Sequence, residues 1–204
     1  MNILDRFFKK HAVDDGIVIV SGLPRSGTSM LMRMLDAGGL PPLTDNERTA
    51  DDDNPKGYYE FEPVKKLREG DYSWLPRAEG KAVKIISALL EYLPAAKHYR
   101  VLFMQRAITE VLASQRQMLV RRGEDPDRVS DAEMAQYFQK HLVQVKERLA
   151  KQKNVSVLYL DYNELVRNPA SQVGQINAFL GNRLDEARMI AMIDLSLYRQ
   201  RRET

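Results

Sequence analysis

A glycine-rich segment near the start of the chain has the residue types that bind a phosphate group. Gly22 and Gly27 flank Arg25, and the hydroxyl residues Thr28 and Ser29 follow directly. In such a loop the backbone N–H groups and the positive end of the next helix dipole converge on one anion, and glycines let the backbone approach it closely. The segment therefore predicts a phosphate-binding loop. An ordinary glycine turn is the alternative.

The residue after Gly27 argues against ATP as the ligand. The two glycines have the spacing of the nucleotide-triphosphatase loop G-x-x-x-x-G-K-[ST], in which the lysine reaches the terminal phosphates. Thr28 occupies the position of that lysine, and the cation of the loop is Arg25 instead. We therefore expect a phosphate site that is not an ATP site.

The flanking sequence predicts a strand before the loop and a helix after it. Residues 17–20 form a short apolar, β-branched run, which is typical of a strand buried on both faces. Apolar residues then recur at helical spacing from Met30 to Leu35, and the pair Gly38-Gly39 ends the predicted helix. Strand, loop and helix together would place the loop at one edge of a sheet.

The rest of the chain continues this alternation. Further apolar runs at 82–86, 101–104 and 155–160 are separated by amphipathic helical segments. The pattern predicts an α/β fold with a mainly parallel central sheet, helices on both faces, and a ligand site at the carboxyl ends of the strands. We expect one domain over 1–204, with a lead-in helix at 1–15 and a basic tail at 195–204.

Several stretches resemble sulfotransferases that use 3′-phosphoadenosine 5′-phosphosulfate (PAPS). The loop resembles the family's 5′-phosphosulfate loop, in which Lys or Arg precedes S-G-T and a second hydroxyl residue. Residues 159–169 resemble its structural Y-x-D-L-x-x-x-P stretch. The resemblance spans about residues 17–181 and implies a three-layer, P-loop-like fold, with PAPS as co-substrate and no metal required. The donor-binding residues it implies in the loop are Pro24, Arg25, Ser26, Gly27, Thr28 and Ser29.

A second motif resembles the family's clamp for the 3′-phosphate. Arg106 follows the third apolar run, and Ser114 lies eight residues later on the predicted helix. Arginine offers a planar fork of donors to a phosphate, and serine adds a hydroxyl. The family usually has N-P after this arginine, whereas Ala107-Ile108 follows it here. Arg199 in the basic tail is a further candidate for the 3′-phosphate.

Three carboxylates are candidates for the general base. Glu60 follows Gly57 and two tyrosines, and the resemblance includes a similar G-aromatic-aromatic-E stretch. A carboxylate beside apolar rings is suited to proton abstraction. The alternative for Glu60 is a glutamate near a helix N-terminus, favoured by the dipole. Asp45 and Glu47 are the competing carboxylates. The nearby acidic run at 51–53 reads as a solvated loop, with a Mg²⁺ site as the alternative.

The second apolar run contains Lys84. In cytosolic sulfotransferases a similar strand reads K-T-H, in which the lysine touches the transferred sulfonate and the histidine acts as base. Lys84 matches the lysine, but Ile86 stands in place of the histidine. The histidine mechanism therefore does not carry over, which favours a carboxylate base. A surface lysine at a strand edge is the alternative for Lys84.

Composition narrows the class of protein. The chain has 204 residues, and Lys and Arg exceed Asp and Glu by only 31 to 28, so nucleic acid is not an expected partner. Cysteine is absent, which excludes disulfide scaffolds and thiolate sites. The N-terminus lacks the apolar core of a signal peptide, and no run of 18 apolar residues occurs. We expect a cytoplasmic protein without an integral membrane segment, of undetermined oligomeric state.

These observations favour a PAPS-dependent sulfotransferase. In this hypothesis a hydroxyl or amine acceptor loses its proton to Glu60 or Asp45, while Arg25 and Lys84 stabilise charge around the sulfonate. Two alternatives stay open. One is a small-molecule kinase with a degenerate loop that holds Mg²⁺ through Asp161, the residue after the fourth apolar run. The other is a nucleotide-binding protein without catalysis.

Overall fold

A four-stranded parallel sheet forms the centre of the computed structural model, which describes residues 16–45, 47, 51 and 57–194. The strands are β1 (Ile17–Gly22), β2 (Ala82–Lys84), β3 (Tyr99–Gln105) and β4 (Val155–Asp161), in the order β2-β1-β3-β4. Every neighbouring pair is parallel. The predicted α/β fold with its parallel sheet is confirmed, and each of the four apolar runs is a strand.

Helical segments follow the strands. The α-helices in the described part of the chain are α1 (Thr28–Ala37), α2 (Ile108–Arg121), α3 (Asp131–Lys151), α4 (Tyr162–Arg167), α5 (Pro169–Phe179) and α6 (Glu186–Ala191). Three 3₁₀ segments cover Glu62–Glu69, Leu75–Ala78 and Ser87–Tyr92. Gly38 caps α1 as predicted, and Ser130 forms a capping box with Glu133 at the start of α3.

Alternate residues of β1 face two different apolar cores. Val18 and Val20 pack in one core with residues from α1, α4, α5 and α6. Ile17 and Ile19 pack in a second core with the three 3₁₀ segments and Leu149 from the end of α3. Successive side chains of a strand point to opposite faces of the sheet. This double burial explains why β1 reads as a continuous apolar run.

The parallel arrangement brings the predicted site segments to one edge of the sheet. The phosphate loop follows β1, Lys84 is the last residue of β2, and Arg106 directly follows β3. Parallel strands end at the same edge, and α1 begins there with its N-terminus at Thr28. The backbone topology alone therefore brings the phosphate loop, Lys84 and Arg106 to the same edge of the sheet.

The phosphate loop is tight because the surrounding backbone and rings leave it little room. Gly22 has φ 153°, and a Cβ there would lie 2.6 Å from the carbonyl oxygen of Met104. Gly27 has φ 99°, and a Cβ there would lie 2.4 Å from Cδ2 of Tyr162. Arg25 has a positive φ of 70°, which is uncommon for a residue with a side chain. Both glycines are thus required by contact as well as by backbone conformation.

Two predicted features lie outside the described residues. The lead-in helix at 1–15 is one, and the basic tail at 195–204 with Arg199 is the other. Of the acidic run at 51–53, only Asp51 is described.

Substitution of Gly27 tests the packing of the loop. We expect Gly27→Ala to lower the free energy of unfolding by about 2–4 kcal/mol, because strain at positive φ and overpacking against Tyr162 add together. Gly39→Ala is the matched control, since Gly39 also has φ 99° but a Cβ there meets nothing within 4 Å. Urea denaturation of both variants measures the difference. Equal losses in the two variants would show that the Tyr162 contact contributes nothing.

Candidate active site

The phosphate loop is joined directly to the predicted clamp. Arg25 Nε donates a hydrogen bond to Ser114 Oγ on α2 at 3.0 Å. Arg106 Nη1 donates to the carbonyl oxygen of Arg25 at 3.2 Å. The three residues that the sequence selected from two distant motifs therefore form one cluster of donors at the carboxyl edge of the sheet.

Arg106 is held from several sides. Its Nε lies 2.9 Å from Glu110 Oε2, and its guanidinium carbon is 4.5 Å from the ring centroid of Tyr162. Only 8% of the Arg106 side chain and 3% of the Glu110 side chain are exposed. A planar guanidinium bonded at its edge and packed on its face has little rotational freedom. The cation therefore has a defined orientation.

The other loop residues differ in burial. Ser26 is buried, and its hydroxyl donates to the carbonyl oxygen of Leu23 at 2.7 Å, so this side chain stabilises the turn. Pro24 is exposed on the loop, whereas Gly27, Thr28 and Ser29 are half-buried at the start of α1. The first N–H groups of a helix have no partner within the helix. The N-terminus of α1 can therefore present donors to an anion.

Lys84 joins the start of α1 to the segment around Glu60. Its Nζ lies 3.4 Å from Ser29 Oγ and 3.5 Å from Glu60 Oε1, and it also donates to the carbonyl oxygen of Tyr58. The Lys84 side chain is 10% exposed and that of Glu60 is 28% exposed. Lys84 is therefore an interior cation of this edge, in contrast to the surface-lysine alternative. The Glu60 carboxylate faces the same cation that contacts the loop helix.

The backbone on either side of Glu60 is fixed by its neighbours. Thr44 Oγ1 donates to the carbonyl oxygen of Glu60 at 2.8 Å. The ring of Tyr58 is buried, and its hydroxyl donates to Asp51 Oδ1 at 2.5 Å. Tyr59 has a positive φ of 55°. These contacts fix the backbone that carries Glu60, whose Oε1 lies 3.5 Å from Lys84 Nζ.

Both carboxylate oxygens of Asp45 accept hydrogen bonds from backbone N–H groups. Its Oδ2 accepts from the N–H of Glu62 at 2.6 Å, and its Oδ1 accepts from the N–H of Glu47 at 3.1 Å. Glu62 is the first residue of the 3₁₀ segment that follows Glu60. Asp45 therefore acts as a cap for this segment, and Glu47 is exposed beside it.

Burial shifts the pKa values of Tyr59, which precedes Glu60, and of His141 on α3. Partial burial of the Tyr59 ring, with a smaller contribution from Asp36, raises the pKa of its phenol, so the hydroxyl stays protonated near neutral pH. Burial lowers the pKa of His141, whose Nε2 lies 2.8 Å from Ser87 Oγ. His141 is thus packed by Ser87 at the sheet's second core rather than placed among the loop contacts.

Asp161 is a helix cap. Its Oδ1 accepts from the backbone N–H groups of Asn163 at 2.8 Å and Glu164 at 2.9 Å, at the start of α4. Within the described ranges, no group of three or more His, Cys, Asp or Glu side chains could hold a metal ion. The carboxylate on which the kinase alternative relies therefore caps α4.

Sequence reasoning missed two residues of this site. Glu110 pairs with Arg106, and Asn163 Nδ2 donates to Glu110 Oε1 at 3.0 Å. One signal was available for Glu110: it is four residues after Arg106 on one helix, the spacing of a helical ion pair. Asn163 is 53 residues away from Glu110, and no local pattern indicates that contact.

Comparison with protein families settles the class of the chain. A family model described as the sulfotransferase domain matches residues 15–204. The chain belongs to the sulfotransferase family. The match includes every element of the candidate site, from the phosphate loop to α4, and confirms the family resemblance read from the sequence. Among curated proteins, none matches the sequence.

Solved sulfotransferase structures share the fold. A mouse sulfotransferase, SULT7A1, complexed with PAP has a TM-score of 0.57 and 17% identity over 90% of this chain and 66% of its own. The sulfotransferase domain from the curacin biosynthetic pathway has a TM-score of 0.52 and 18% identity, and the match covers 88% of this chain and 78% of that domain. The sulfotransferase domain from the Synechococcus PCC 7002 olefin synthase has a TM-score of 0.53 and 18% identity, and the match covers 91% of this chain and 82% of that domain. This sulfotransferase-family chain thus spans about two thirds of the length of the mouse structure.

In the part of the chain that the structure describes, no helix is both long enough and apolar enough to cross a bilayer.

Removal of the Asp45 carboxylate tests its capping function. We expect Asp45→Ala to lower the free energy of unfolding by about 1 kcal/mol, the usual cost of losing a side-chain cap. Glu47→Ala is the control, because Glu47 is exposed and adjacent to the same turn. Urea denaturation measures both variants. An unchanged stability of Asp45→Ala would contradict a capping function.

Proposed function

We propose that this chain transfers a sulfonate group from PAPS to a hydroxyl or amine of an acceptor molecule. The observation that carries the proposal is the contact of Arg25 with both Ser114 and Arg106. One ligand with an anionic group at each end could be bound across this cluster. PAPS has such a form, with a phosphosulfate at the 5′ position and a phosphate at the 3′ position.

The loop and the clamp divide the donor between them. The N-terminus of α1 and Arg25 would bind the 5′ end, because helix N–H groups and a guanidinium both favour an anion. Arg106 and Ser114 would bind the 3′-phosphate through charge-assisted hydrogen bonds. Thr28 in place of the ATP-loop lysine fits this assignment, since no terminal triphosphate has to be reached.

Glu60 is the proposed general base. The donor supplies a sulfonate with a good leaving group, so the acceptor oxygen or nitrogen attacks sulfur as its own proton passes to Glu60. The bond between sulfur and the oxygen of the 5′-phosphate breaks, and adenosine 3′,5′-bisphosphate leaves. Lys84 Nζ lies 3.5 Å from Glu60 Oε1 and 3.4 Å from Ser29 Oγ, and these contacts support a role for Lys84 in stabilising the sulfonate oxygens and the leaving group.

Asp45 fits the base less well than Glu60. Both Asp45 oxygens accept hydrogen bonds from backbone N–H groups, which hold the carboxylate in its own turn. Glu60 instead faces a cation that also contacts the loop helix. We therefore assign proton transfer to Glu60 and a structural role in the turn to Asp45. No metal is invoked in any of these steps.

Binding of adenosine 3′,5′-bisphosphate tests the donor assignment. We expect the protein to bind the bisphosphate in calorimetry, and Ser114→Ala to weaken it about tenfold, because a hydrogen bond to a charged group is lost. Ser156→Ala, at an exposed position of β4, is the matched control. Tight binding of ATP with Mg²⁺ in the absence of bisphosphate binding would contradict the proposal.

Substitution of Glu60 tests the assigned base. With isotopically labelled PAPS and cell lysate as the acceptor source, mass spectrometry identifies a sulfated product. We expect Glu60→Gln to lower kcat for that product by about 10²–10⁴-fold, the usual contribution of a general base, while bisphosphate binding is retained. Asp45→Ala should keep kcat within a few-fold. A Glu60→Gln variant of wild-type rate, or bisphosphate binding without transfer to any acceptor, would refute this mechanism.

A further inference from the structure

Glu110 is a buried acidic residue inside the cluster that is proposed to bind the 3′-phosphate. Its side chain is 3% exposed, and its two oxygens are engaged by Arg106 Nε at 2.9 Å and Asn163 Nδ2 at 3.0 Å. A carboxylate in this position reduces the electrostatic attraction of Arg106 for a phosphate. A buried ion pair is also weak evidence for a gain in stability. Its presence at this site therefore calls for a functional reason.

The contacts of Arg106 indicate that reason. A guanidinium has five N–H donors in a rigid fork, so its orientation decides which donors face a ligand. Glu110 binds the Nε edge, the ring of Tyr162 packs at 4.5 Å from the guanidinium carbon, and Nη1 reaches the carbonyl oxygen of Arg25. Glu110 supplies the charged member of this set and fixes the rotation of the fork.

Asn163 contacts the second carboxylate oxygen of Glu110. Its backbone N–H is bonded to Asp161 at the start of α4, and its side-chain amide donates to Glu110. Its Oδ1 is buried without a hydrogen-bond partner in the part of the chain that the structure describes. Buried polar atoms are rarely left unpaired, and those that are call for an explanation. Asn163 thus joins the start of α4 to Glu110 and holds the carboxylate on the side opposite Arg106 Nε through its second oxygen.

We propose that Glu110, held by Asn163, is a positioning residue that orients Arg106 and thereby makes the site select a nucleotide with a 3′-phosphate. This inference rests on the proposed function, because it assigns the 3′-phosphate to Arg106. It adds that discrimination between adenosine 3′,5′-bisphosphate and adenosine 5′-monophosphate depends on a residue that touches neither ligand.

The test compares two ligands in one variant. Glu110→Gln keeps the size of the side chain but removes the charge that pairs with Arg106. Calorimetry with adenosine 3′,5′-bisphosphate and adenosine 5′-monophosphate then gives the ratio of their dissociation constants. We expect the bisphosphate affinity to fall about tenfold and the monophosphate affinity to stay within about twofold, because only the 3′-phosphate uses Arg106. Glu164→Gln, exposed on α4 beside Asn163, is the matched control.

Steady-state kinetics give a second readout. Misorientation of a donor-binding group should raise the KM for PAPS more than it lowers kcat, whereas general damage to the fold would lower the amount of active enzyme. Glu110→Asp, which keeps the charge, should restore part of the discrimination between the bisphosphate and the monophosphate. Should Glu110→Gln fail to fold in circular dichroism, Asn163→Ala tests the same claim, with an expected loss of about threefold in the ratio.

Three outcomes would overturn the proposal. Unchanged dissociation constants for both nucleotides in Glu110→Gln, or in Asn163→Ala where that variant replaces it, would show that Arg106 needs no such support. An equal loss of affinity for both nucleotides would show that Glu110 supports the phosphate loop in general and does not act on the 3′-phosphate. Tighter bisphosphate binding would show that its charge opposes the ligand. If the wild-type protein binds neither nucleotide, the proposed function fails, and this inference fails with it.

Discussion

The candidate site depends on a pair of contacts between the phosphate loop and the segment after β3. Arg25 reaches Ser114 with its side chain, and Arg106 reaches back to the carbonyl oxygen of Arg25. Arg25 has a positive φ of 70°, which is uncommon for a residue with a side chain, and its carbonyl oxygen accepts a hydrogen bond from the Arg106 cation. The loop and the clamp are therefore one structural unit.

A second unit lies beside the first. Lys84 contacts Ser29 at the start of α1 and the Glu60 carboxylate, so the end of β2 links the loop to the candidate base. The two units share the N-terminus of α1, one on the side of β3 and the other on the side of β2, as the strand order β2-β1-β3-β4 requires. A donor bound at the loop would thus have its nucleotide on one side and the acceptor on the other.

Local patterns were sufficient to predict the strands, the loop and the first helix. β1 reads as a continuous apolar run because both of its faces are buried, and Gly22 and Gly27 are required by close contacts that are visible in sequence only as glycines. The pairing of Arg106 with Ser114 could not be read from spacing alone, since an arginine and a serine eight residues apart are common. The family resemblance supplied that step, and its residue-level assignments remain proposals.

Other features of the site were beyond local patterns. Asp45 and Glu60 look equivalent as carboxylates, and only the turn geometry shows that Asp45 accepts backbone amides while Glu60 faces Lys84. The contact between Glu110 and Asn163 joins α2 to α4 across 53 residues, which hydrophobic periodicity does not encode. Polar contacts between residues far apart in the chain are thus the features of the site that are hardest to predict from a single sequence.

A crystal structure of the protein with adenosine 3′,5′-bisphosphate is the most direct measurement of the central claim. The proposed arrangement predicts the 5′-phosphate at the N-terminus of α1 beside Arg25, and the 3′-phosphate within hydrogen-bond distance of Arg106 and Ser114. A bisphosphate bound with its 3′-phosphate away from both of these side chains would contradict the claim, even if its 5′-phosphate occupied the loop.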